Sequence, residues 1–154
     1  MEAGIQMKVD AINEKLDGIT QRVNGIRAYF ARVVYAQYQK AQIEQWKSAG
    51  TGQGAVTTSE GNYWEALSPA YYKRKTKKYA DYDYGGKQFL VATGALLKKV
   101  IQPDKITTNY SLTLRVPTTY AKFVAEKRPF MSFGDRTRQT IEDGIAKFLL
   151  LGHG

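Results

Sequence analysis

The side chains that could do covalent or acid–base chemistry are few, and their placement argues against each. The single histidine, His153, stands between two glycines at the C-terminus, where a frayed tail cannot hold a general base in geometry. Asp81 and Asp83 lie two apart in a Gly- and Tyr-rich stretch, and Glu142 and Asp143 are adjacent on an expected helix. Neither pair faces a common substrate, so only a carboxylate pair drawn from distant segments stays open. No Gly-x-x-x-x-Gly-Lys loop, no Gly-x-Gly-x-x-Gly after a strand and no metal-ligand spacing occurs. There is no cysteine, hence no thiol nucleophile, no cysteine-ligated zinc and no disulfide framework, which fits assembly in a reducing cytoplasm. The expectation is a protein that is not an enzyme and uses no cofactor and no metal.

Binding chemistry is better represented. The segment Tyr71-Tyr72-Lys73-Arg74-Lys75-Thr76-Lys77-Lys78-Tyr79 holds five cations in nine residues, over half of the net charge of +9. Cations that track phosphates, interleaved with rings that stack or pack, make a sequence-independent nucleic-acid surface. The same pattern also suits docking to an acidic protein, or a solvated helix face with Tyr72 and Tyr79 turned to the core. Lys73, Arg74, Lys75, Lys77 and Lys78 are thus the candidate DNA or partner contacts, and nothing in the segment reads a base sequence.

The elements that must position this segment begin with a long helix. Ile5, Val9, Ile12, Leu16, Ile19, Val23, Ile26, Phe30 and Val33 alternate in spacing between four and three, one stripe with a period of 3.5. Lys8, Lys15 and Arg22 flank it on one side, so a symmetric parallel pair gains no charge attraction. Gly18 and Gly25 each weaken an isolated helix by about 1 kcal/mol relative to alanine, which describes a helix that is stable when docked. The stripe either lies on its own domain or packs on a neighbouring subunit. On the second reading Ile5, Val9, Ile12, Leu16, Ile19, Val23 and Ile26 are subunit-interface residues.

The division expected is a helical arm over 1–46, a flexible loop over 47–62, an α+β core over 63–151 and a disordered tail over 152–154. The Gly/Ser/Thr-rich stretch from Ser48 to Asn62 has too little apolar content to order by itself. Ser68 can cap a helix with Pro69 at its first position and Leu67 stapled to Tyr72. Trp64, one turn upstream, is either a core anchor or a partner contact. Thr93 is placed as a cap before Gly94, while Leu97–Gln102 and the alternating Leu112–Val116 read as antiparallel strands, the latter ended by Pro117. Asp135 suits the start of a last helix, and Ile141, Ile145, Phe148 and Leu149 put one apolar face over the sheet, with Gly152 ending it. The fold class expected is therefore α+β: a long N-terminal helix, a small antiparallel sheet with short helices, and a C-terminal helix packed on one face. At 154 residues and 43% hydrophobic this is one compact core. No apolar run nears the roughly 20 residues a membrane span needs, and the N-terminus lacks a signal peptide's apolar centre, so a soluble, unprocessed chain without membrane contact is expected.

Four fragments in fixed order carry a resemblance: Trp64-x-x-Leu67-Ser68-Pro69-x-Tyr71, Leu90-x-x-Thr93-Gly94-x-Leu96, Tyr120-Ala121 and Arg128-Pro129-Phe130. Over roughly residues 60 to 150 the chain resembles the phage virion-morphogenesis family, the small neck and tail-completion proteins of tailed phages such as the Mu-like ones. The histidine and glycine that family members usually carry between the last two landmarks are missing here. The resemblance implies a structural subunit of a homo-oligomeric ring, a hexamer, at the head-tail joint of a virion. Its partners would be neighbouring neck proteins, a head-side adaptor or stopper and a tail-side terminator or tube, with non-specific contact to DNA in the lumen. Arg128 and Phe130 then join the candidate interface, Arg128 being either a surface residue or one ordered by a carboxylate. A tail terminator of the same assembly and a free basic nucleic-acid-binding module are the alternatives.

Overall fold

In the computed structural model the described residues are 2–108 and 110–152, with side chains described from residue 11 onward. Among them the chain is α+β, with six α-helices and two small antiparallel two-stranded sheets. Helix α1 (Glu2–Tyr29) runs through a π-helical turn (Phe30–Val34) into α2 (Tyr35–Ala49). Then come β1 (Val56–Thr57), β2 (Tyr63–Trp64), α3 (Pro69–Lys78), α4 (Ala95–Ile101), β3 (Asp104–Thr107), β4 (Leu112–Arg115), α5 (Ala121–Lys127) and α6 (Asp135–Leu151).

The π turn breaks the heptad register where it would matter for a coiled coil. A π bulge rotates the following residues around the axis, and after it the buried positions change character to Tyr38, Ala41, Gln42, Gln45, Trp46 and Ala49. The helix is thus two surfaces in sequence. Ile26, Tyr29 and Val34 pack with Ile141, Ile145 and Phe148 of α6, Tyr29 stacking on Phe148 at 4.4 Å between ring centroids. Beyond the turn, Trp46 and Ala49 join Trp64, Phe89, Val91, Leu97, Val100 and Phe130 in the main core. Trp64 is fully buried, its Nε1 donating to Pro129 O at 2.7 Å, and so it is a core anchor.

Two corrections to the sequence reading concern α4 and α6. Residues Leu97–Gln102 are not a strand; Leu96, Leu97 and Val100 are buried on one side of α4, a helical spacing that a short apolar run hides. The strand that pairs with β4 is instead β3, in the register Asp104↔Arg115 to Thr107↔Leu112. The cap assignment shifts by one residue: Gly94, at φ +87°, is the N-cap of α4, while Thr93 Oγ1 accepts from Ala95 N at 3.3 Å. Helix α6 lies mainly against α1 rather than over the sheet, and only Leu112 of β4 reaches that cluster.

The loop expected to be flexible, 47–62, is held by hydrogen bonds at both of its ends. Gln45, buried on α2, accepts from Thr58 Oγ1 at 2.9 Å and from Asn62 Nδ2 at 2.6 Å. Gln42 and Gln45 both donate to Phe130 O, at 2.7 and 2.9 Å. Gln45 thus supplies a polar partner on an otherwise apolar helix face, satisfying the Thr58 hydroxyl and the Asn62 amide without apolar side chains in the segment itself. Composition argues for disorder because it does not register partners that folding brings alongside, here Gln45 on the preceding helix and the start of α6. The arm likewise continues to Ala49, three residues past the expected end, and Gly152 ends α6 in a left-handed conformation at φ +81°. The remaining tail residues, His153 and Gly154, lie outside the described residues.

Candidate partner and nucleic-acid surfaces

Helix α3 forms as its local chemistry dictates. Ser68 caps it, its Oγ accepting from Tyr71 N at 3.3 Å, and Pro69 occupies the first position. Of the five cations, Lys73, Arg74, Lys77 and Lys78 are exposed. Arg74 lies over the Tyr71 ring at 5.4 Å and Lys78 over Tyr79 at 5.2 Å, with Tyr71 and Tyr82 also exposed. That is a surface of cations braced on rings, the geometry of a sequence-tolerant contact to phosphates and bases.

Lys75 does not belong to it. Only 5% exposed, it turns inward and donates from Nζ to Gln88 O. Desolvation by burial, and then the nearby charge of Arg128, lower its pKa from 10.5 to about 8. Helical spacing separates it from Lys73 and Lys77, which sit two residues either side of it and so project from the opposite face.

The interface residues expected on the N-terminal stripe divide likewise. Ile12 and Leu16 are 56% and 54% exposed, and every residue from 11 to 17 is exposed. Ile19 and Val23 are half-buried. Ile26 is a correction: it is buried in this chain's own cluster with Tyr29 and Val34, because α6 covers the stripe from that point on. The side chains of Ile5 and Val9 lie outside the described residues.

Phe130 is a second correction. It is 1% exposed, packed beside Trp46, and is core, not interface. Within the chain Arg128 is ordered by a carbonyl rather than a carboxylate: Nε and Nη2 donate to Glu65 O at 3.2 and 3.0 Å, and the guanidinium sits 5.7 Å from the Phe89 ring centre. A fragment such as Arg-Pro-Phe signals its residue types but not which way each side chain turns.

Two functional-looking contacts escaped the sequence reading. Glu60, buried in the hairpin segment, caps the N-terminus of α6, its carboxylate accepting from Gly134 N at 3.1 Å and Thr137 Oγ1 at 2.8 Å. Arg22 closes the other end, donating to Leu149 O at 2.7 Å and Leu150 O at 3.2 Å. An acid at the N-terminus and a base at the C-terminus both favour the helix dipole. Both pairs are long-range, so no local motif announces them.

Among the described residues no group of three or more His, Cys, Asp or Glu could hold a metal ion, and no helix is long and apolar enough to cross a membrane. Comparison of the chain with protein-family models, with curated proteins and with solved structures finds no match.

Proposed function

We propose that this chain is a structural, non-enzymatic ring subunit in the neck of a tailed phage, acting in tail completion or head-to-tail joining, with DNA passing through the ring. The fragments around Trp64, Leu90, Tyr120 and Arg128 suggest the family, and the observation that carries the assembly reading is the uncovered first half of the N-terminal helix. Ile12 and Leu16 continue the apolar stripe that α6 covers further on, yet they are exposed along with the whole of 11–17. A helix bearing an apolar stripe that its own chain does not bury is suited to packing on a neighbour, and a repeated contact between unlike faces closes into a ring. The exposed cations of α3 suit a face turned to DNA in the bore.

The test is the native mass and particle image of the purified chain beside Ile12→Asp/Leu16→Asp. Both positions are exposed, so the double variant should keep its fold. The expected result is rings from the parent chain, alone or on assembled tails, and folded subunits that do not join from the variant. Normal rings from the variant overturn the reading.

The exposed, ring-braced cations of α3 favour a second reading, a free basic nucleic-acid-binding module. A monomer that binds DNA with a steep salt dependence supports it; a ring with weak DNA affinity supports the neck subunit.

A further inference from the structure

A cavity of about 490 Å³ opens between α3, α4 and α5, on the side of α3 away from Lys73 and Lys77. Its walls are apolar, from Leu67, Leu90, Leu96 and Val124, and Phe123, 65% exposed, stands at its edge. Three cations also line it, Lys75, Lys127 and Arg128, and no carboxylate does.

The charge balance is the informative part. The Lys75 ammonium has three donors and meets one acceptor, Gln88 O, and among the described residues it has no ion-pair partner. Its neighbour of note is a like charge, Arg128. A buried cation without a carboxylate is costly to the fold, and here Lys75 shares the wall of one recess with two further cations, Lys127 and Arg128. Leu90 adds a second mark: it adopts φ +52°, a left-handed conformation that a residue with a Cβ rarely takes and that gathers at binding sites.

We propose that this cavity is a docking site for a carboxylate-bearing apolar segment of a partner protein, an Asp or Glu beside aliphatic or aromatic residues. The carboxylate meets Lys75, Lys127 and Arg128 while the apolar neighbours cover Leu90, Leu96 and Phe123. Nucleic acid fits the recess less well, because a phosphate gains nothing from the aliphatic walls and Lys73 and Lys77 project from the opposite face of α3. The site stands whether or not the chain forms rings.

The experiment selects a displayed random-peptide library against the full chain and measures the synthetic consensus peptide by fluorescence anisotropy. The expected consensus places Asp or Glu next to Leu, Ile, Val or Phe. Its affinity should fall about tenfold or more with Phe123→Ser, with Lys127→Glu, and with Asn or Gln replacing the peptide's acids. Phe123 and Lys127 are both exposed, so unfolding does not confuse the result, and circular dichroism of each variant checks it. A selection that enriches no acidic-apolar consensus, or a peptide indifferent to these changes, overturns the proposal. So does displacement of the peptide by an oligothymidine, which would assign the cavity to nucleic acid.

Discussion

The carboxylate of Glu60 accepts a hydrogen bond from Thr137 Oγ1 at 2.8 Å across 77 residues of sequence. It also takes one from Gly134 N, so one buried acid holds the hairpin segment to the first turn of α6. Gly134 has no side chain to cap the helix itself, and Glu60 supplies from outside what Ser68 supplies to α3 from within. Glu60→Ala should lower unfolding free energy by about 1–2 kcal/mol, the range for losing a helix cap and leaving its donors unpaired. Urea titration followed by circular dichroism measures it, and an unchanged midpoint would show the cap to be dispensable.

Helix α6 meets α1 at Gly144, where an added Cβ would come within 2.8 Å of the Tyr29 hydroxyl. That hydroxyl is buried and finds no partner among the described residues. Gly144→Ala gains about 1 kcal/mol of helix propensity but loses about 1–3 kcal/mol to overpacking. Tyr29→Phe removes both the obstacle and the orphan oxygen. The double variant should therefore be more stable than either parent sum predicts, a favourable coupling of about 1 kcal/mol in a thermal or urea cycle.

Lys75 gives the chain a signature in alkaline solution. Below about pH 8 it is protonated in both folded and unfolded states, and its burial penalty is present in full. Between about 8 and 10.5 the folded chain releases this proton first, the unfolded chain binds more protons, and stability therefore rises with pH. Tyr38, whose pKa burial and Tyr35 raise, pulls the other way only once an unfolded tyrosine begins to ionise near 10.0. Lys75→Met isolates the lysine: its stability advantage over the parent, or its deficit, should shift against the variant as pH rises through that window. Parallel curves would remove the assignment.

The four exposed cations of α3 make a separate prediction. Replacing Lys73, Arg74, Lys77 and Lys78 by Gln should leave the melting temperature nearly unchanged, since all four are exposed. If all four meet phosphates, the slope of log affinity for duplex DNA against log salt should drop by about 3 to 4. An unchanged slope would leave α3 to a protein partner or to solvent.

What the sequence determined is what depends on near neighbours. The cap at Ser68 with Pro69 follows from residues within one turn, and the apolar periods of the first and last helices follow from repeats that a helix must place on one face. The α+β class and the helix over 135–151 are legible for that reason. Tertiary structure alone decided how shared surfaces were divided. The stripe from Ile12 to Val33 reads as continuous, but α6 buries Ile26 and leaves Ile12 and Leu16 open. The basic run reads as uniform, but the folded chain buries Lys75 and leaves the other four cations exposed. The 47–62 segment reads as unstructured because its hydrogen-bond partners, Gln45 on the preceding helix and the start of α6 far along the chain, reach it only once the chain folds. Burial and pairing depend on what the folded chain brings alongside a residue, and local sequence carries no record of that.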